Sequence, residues 1–205
     1  LVARYFDQPM ARVNDAVFRT AGADLEALLP GFGPLHERLS SWDEALTIHP
    51  ERVPAAADHL ATIFRARAAE QFGLPDGESA RISMVRDRPW SGYNWYEGGR
   101  RSRVEINLDL PVRVGDLIHT VAHETYPGRH LEAATKEARL VDVEGRAELT
   151  LLSINTPECL LHEGLADLGY RFAVPPADEA ALIEEVIHAA GLPLAADALA
   201  ARDVA

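Results

Sequence analysis

The stretch VAHETYPGRHLE, residues 121–132, brings two imidazoles and a carboxylate together around a helix-breaking Pro-Gly pair. In the His-Glu-x-x-His pattern the two histidines share one helical face, where both can ligate zinc while the glutamate serves as general base. Here the position for the second histidine is Pro127, so a second ligand must come from elsewhere. His119 lies one turn before His123 and needs no distortion of the helix. His130 lies seven residues after it, about 10.5 Å along a continuous helix. Zinc–nitrogen bonds are only about 2.0–2.1 Å, so His130 could join His123 only if the Pro127-Gly128 break shortened that gap. By spacing alone the two pairs stand level. A lone His-Glu dipeptide is most simply a solvated polar face. The break weighs against that account, because proline in a helix interior costs roughly 3 kcal/mol and glycine about 1 kcal/mol. A costly irregularity beside ionisable groups is where function is expected.

A carboxylate to complete the set is Glu163 in LHEGLADL, on a later helix. It falls on the face opposite Leu161, Leu165, Leu168 and Phe172, and Gly164 is expected to admit close approach of another backbone. On its own Glu163 reads as well as a solvated helix residue. Taken with two histidines it forms the His₂Glu grouping of open catalytic zinc sites, at one zinc per chain. Glu124 would then accept a proton from metal-activated water as it attacks a polarised carbonyl.

The elements that must position these residues are mostly helices. Residues 1–75 read as a helical layer: a segment closing at Leu25, Leu28 and Leu29, then LHERLSSWDEALTIH before Pro50, then a helix from Pro54 with Leu60, Ile63 and Phe64 at helical spacing and Gly73 as its stop. His36, His49 and His59 lie there without a ligand-like partner and read as structural or exposed. Residues 80–110 change character. Ile82 and Met84, then Val104 and Ile106, alternate with polar residues, and Glu97-Gly98-Gly99 supplies a turn, which predicts a small antiparallel sheet. Tyr93, Tyr96, Arg101, Arg103 and Asn107 on this hairpin are candidate substrate contacts, or equally exposed strand residues.

Residues 111–205 read as the helical metal-site region. Val114, Leu117, Ile118 and Val121 recur at helical spacing into the His-Glu stretch, and Thr156 with Pro157 is a fitting start for the helix carrying Glu163. DEAALIEEVIHAAG and PLAADALAARD predict two further helices. The fold class is therefore mainly α-helical (α+β), as a single domain.

The formal charge is -12 across 205 residues, which argues against nucleic acid or an anionic membrane as a partner. The single cysteine, Cys159, excludes an intrachain disulfide and reads as a small buried helix residue. No apolar run approaches the roughly 18 residues of a membrane span, and no signal segment is visible, so a cytoplasmic location is expected. The opening LVARYF, without methionine, is what a piece of a longer chain would show.

INLDLP, VAHETYPGRHLE, KEARLV and NTPECLLHEGLADL, in this order over about residues 80–172, together resemble the bacterial family called domain of unknown function 885. Its signature is similar to His-Glu-x-x-Pro-Gly-His-His, followed some forty residues later by Glu-Gly-Trp-Ala. The resemblance implies a mostly helical zinc metallopeptidase with His123 and Glu163 as ligands and Glu124 as base. It also places a histidine at 130, which favours His130 over His119. The chain departs from the pattern at Arg129, where the family has the first histidine of its pair, and at Leu165, where the family has tryptophan. The resemblance thus leaves two expectations: a zinc hydrolase of peptide or small amide bonds, or a catalytically silent relative that binds a peptide or protein.

Overall fold

The computed structural model describes residues 11–29 and 31–193 together with Arg4. The described residues form seven α-helices and a small three-stranded sheet, and the mainly helical α+β class expected from sequence is what is found. Helix α1 (Asp15–Leu28) starts at Asn14, whose side chain accepts the Ala16 N–H at 2.9 Å. Helix α2 (Leu35–Ala45) is tied to it by Arg38, which donates to the Glu26 and Leu29 carbonyls at 3.0 Å. This helix ends short of the close before Pro50 that the sequence predicts. Thr47–Ile48 leaves the helix as β1 and pairs antiparallel with β5 (Val112–Arg113).

Helix α3 (Val53–Phe72) supplies the centre of the core through Val53, Ala56, Ala57, Leu60, Phe64 and Ala68, all buried. It ends at Gly73, whose φ of 72° suits glycine. Against α3 pack α4 (Val114–Glu124), through Val114, Leu117, Ile118 and Val121, and α7 (Glu179–Ala189), through Leu182, Val186 and Ile187.

The sheet has the order β2-β4-β3, with β2 (Ser79–Val85), β3 (Gly92–Gly98) and β4 (Arg101–Asn107). β3 and β4 form the predicted antiparallel hairpin, Tyr93 opposite Glu105 and Trp95 opposite Arg103, but β2 joins β4 in parallel. A parallel partner needs a longer crossover than a hairpin turn. The alternation within β2 could not reveal this, because it looks the same in either direction.

The helix broken at Pro127 resumes as α5 (Arg129–Lys136), which runs into a π-helical turn over Glu137–Val141. Helix α6 (Pro157–Ala173) begins at Thr156, which caps it by accepting the Cys159 N–H at 3.2 Å. Thr156→Ala should therefore lower stability by about 1 kcal/mol, as read from chemical denaturation. Cys159 itself is only half-buried.

Helix α6 does not turn its leucines inward. Leu161, Leu165, Leu168 and Phe172 are 61%, 44%, 55% and 50% exposed, while His162, Ala166, Gly169 and Ala173 are buried. The reason is a close approach. A Cβ at Gly169 would stand 3.2 Å from the backbone of Pro127 and Gly128, so α6 meets the Pro-Gly turn with its small-residue face. Gly164, expected to serve this purpose, has nothing near it. The predicted helix over PLAADALAARD falls almost wholly outside the described residues. Among those that are described, no helix is long and apolar enough to cross a membrane.

Candidate metal centre

Two i,i+4 pairs face one another where α4 meets α6. His119 and His123 project from α4 on the side away from its buried stripe, and Glu163 and Asp167 project from α6. The imidazole rings stand 5.8 Å apart, and Tyr170 lies 5.5 Å from His119. Ligand atoms of His119, His123 and Asp167 all lie within 4.8 Å of one another. Asp167 Oδ1 is 2.9 Å from His123 Nδ1 and 3.7 Å from His119 Nε2.

The other nitrogen of His123 faces Glu163, at 3.3 Å from Nε2 to Oε2. The second oxygen of Glu163 accepts from the Arg129 guanidinium. His123 thus stands between two carboxylates on opposite edges of its ring. Two imidazoles and a carboxylate match the donor set that zinc takes. The two gaps to Asp167, 2.9 and 3.7 Å, lie either side of the roughly 3.3 Å that separates ligand atoms around tetrahedral zinc, and the third gap is within 4.8 Å. The residues present fit a divalent cation.

Glu124 ends α4 and is nine-tenths buried, with one carboxylate oxygen lacking any hydrogen-bond partner among the described residues. Burial pushes its carboxyl above the usual carboxylate range, and the charges of His123 and Arg129 act against that rise. Its backbone carbonyl accepts from Asn94 Nδ2 at 2.7 Å, which fastens the end of α4 to strand β3. The turn that follows is pressed on the helix so closely that a Cβ at Gly128 would stand 2.0 Å from the His123 carbonyl oxygen. Only glycine fits there.

His130 does not return toward His123. Its side chain is fully buried, with Nδ1 2.8 Å from Ser102 Oγ and Nε2 2.9 Å from Glu78 Oε2. The Pro-Gly turn starts a new helix whose inner face carries His130 into the core beneath the sheet, so both its nitrogens serve the packing of α5. Glu78 is the hub of this network, taking donors from Arg65 at 2.9 Å as well as from Tyr126. Burial acts to raise the Glu78 carboxyl, but bonds from Tyr126, His130 and Arg65 prevail and hold it below the usual range. Burial lowers the affinity of His130 for a proton, which Glu78 only partly restores.

The predicted substrate residues separate into groups. Tyr93 and Tyr96 line a cleft of about 510 Å³ between the open edge of β3 and helix α5, where Arg129, Glu132 and Lys136 form the opposite wall. The Tyr96 hydroxyl donates to Glu137. Arg101 and Arg103 are outside this cleft. Arg103 pairs with Glu105 and lies 5.5 Å over the Trp95 ring, and Arg101 is exposed at the hairpin turn. Asn107 is buried and holds a loop, donating to the Arg88 carbonyl at 2.9 Å and accepting from Asp109 N at 3.1 Å.

Asp167, Glu78 and Asn94 were not picked out from sequence. Asp167 left a signal, since Glu163 and Asp167 repeat on one helix the spacing that His119 and His123 have on another. Glu78 left none, because its partners are far away in the chain and meet only in the fold. Compared with known proteins, the chain matches no family model, no curated protein and no solved structure.

Proposed function

We propose that this protein is a zinc-dependent hydrolase of peptide or small amide bonds. His119, His123 and Asp167 are its metal ligands, in place of the His123, His130 and Glu163 set expected from sequence. The observation that carries this reading is the three-donor cluster within 4.8 Å, with Glu124, the residue after His123, buried and one of its carboxylate oxygens unpartnered among the described residues. The motif resemblance supports the same chemistry. A divalent cation bound there supplies Lewis acidity toward a carbonyl and toward water.

The chain's own residues do the rest. Glu124, held in a poorly solvated position, accepts a proton from the attacking water and returns it to the leaving amine. Asn94 fixes the end of α4 and so the placing of that carboxylate. The cleft beside β3 receives the substrate; none of the ligands lines it, and its link to them is Arg129, which lines it and bonds Glu163 beside His123. An extended peptide suits it, because β3 pairs only with β4 and its outer edge is free of any strand among the described residues.

Elemental analysis of chain never exposed to chelator should find close to one zinc per molecule. His119→Ala, His123→Ala and Asp167→Ala should each lower zinc affinity by orders of magnitude. Absence of any transition metal, even after reconstitution, would sink the hydrolase and leave a peptide-binding module as the better reading.

A further inference from the structure

We propose that Arg129 is a built-in cation that occupies the Nε2 side of His123. By holding Glu163, it denies that side to a divalent metal ion and confines metal to the Nδ1 side. The proposal shares with the proposed function the premise that His123 is a ligand, and it adds which edge of the ring the metal uses.

Three observations lead there. First, Glu163 Oε2 and His123 Nε2 are 3.3 Å apart, about the separation of two ligand atoms on one tetrahedral zinc. The Nε2 side is therefore half of a metal site. Second, that half-site already has its positive charge. Arg129 is on the free oxygen of Glu163, with its side chain 20% exposed. A guanidinium keeps its charge at every accessible pH but has no vacant orbital to offer a ligand. Third, the position of residue 129 is fixed. It follows Gly128, whose backbone is pressed against the His123 carbonyl, and it opens helix α5. Any side chain at 129 starts out beside His123 and Glu163, so exchanging the guanidinium for an imidazole would put a third donor where the cation now is.

The test is calorimetric titration of the full chain with zinc chloride, read as affinity and stoichiometry. Wild-type affinity should fall by orders of magnitude with His119→Ala and by no more than about tenfold with Glu163→Gln, which alters only the partner of the ring nitrogen that the metal does not use. Arg129→His should raise affinity at least a hundredfold at one equivalent of zinc. In the Arg129→His background that gain should vanish with Glu163→Gln and survive His119→Ala. Arg129→Gln, which removes the charge and adds no imidazole, is the second route should the histidine variant not fold, and it should show a smaller gain with the same dependence on Glu163. A gain that ignores Glu163, or none in either variant, overturns the proposal. Wild-type chain without zinc beside an Arg129→His variant that binds it through Glu163 would uphold the role of Arg129 while refuting the proposed hydrolase.

Discussion

Replacing His130 with alanine is expected to lower the free energy of unfolding by about 3–5 kcal/mol, through the cavity left by a ring-sized side chain and the hydrogen bonds it abandons. His130 has no solvent exposure, and its two nitrogens meet Ser102 and Glu78. Glu78 would lose one donor but keep Arg65 and Tyr126, so the chain should still fold, with a lower denaturation midpoint. Zinc affinity of the folded fraction should change little, whereas a ligand role would abolish it with stability nearly intact. A loss under 1 kcal/mol in urea denaturation would refute the network. The same network makes the fold acid-sensitive. The His130 pKa is depressed in the folded state, so protons bind the unfolded chain preferentially once pH falls below the usual histidine value of roughly 6.5. The Glu78 pKa is depressed as well, so the stability it contributes is present above the ordinary glutamate pKa and is lost as pH falls through its lower folded value. Both effects have the same sign. Denaturation midpoints should decline from about pH 6.5 downward, and His130→Gln should flatten the upper part of that decline.

The helical periodicity of Val114, Leu117, Ile118 and Val121 is legible because all four are buried in the core that α4 shares with α3. The cap at Thr156 was legible because capping is a local matter of one side chain and a nearby N–H. What the sequence hid depends on contacts between distant segments. The exposed leucines of α6 look like an ordinary core stripe until Gly169 is seen against the Pro-Gly turn, a contact that turns the helix by about one residue. The choice between His119 and His130 was open on spacing and was tipped to His130 by the resemblance. What moves His130 away is Glu78, fifty-two positions earlier, and no periodicity carries that information. His123 and Glu163 do meet, at 3.3 Å, since one helix–helix contact suffices to join them. Arg129 could be read from sequence as a missing histidine, but its bond to Glu163 could not.

Glu124→Gln is expected to keep zinc and lose turnover by about 10²–10⁴-fold, the range that general acid–base catalysis contributes. The exchange preserves shape and removes the charge, so the packing around a nine-tenths-buried side chain is disturbed little. Stability should hold or rise slightly. A carboxylate whose pKa burial has already raised, and whose Oε2 has no hydrogen-bond partner among the described residues, gives up little when it becomes an amide. That combination separates a proton acceptor from a structural residue, because removing a structural carboxylate would cost stability first and activity only in proportion. It also separates Glu124 from the ligands, whose loss removes zinc and activity together. The measurement is hydrolysis of a peptide library by wild-type and variant chains at matched zinc content, with unfolding followed in parallel. Unchanged turnover in Glu124→Gln would mean that the proton is handled elsewhere, with Glu163 and Asp167, the carboxylates that flank His123, next to test. Turnover lost with zinc lost would instead make Glu124 a ligand and move the centre of the site to the end of α4.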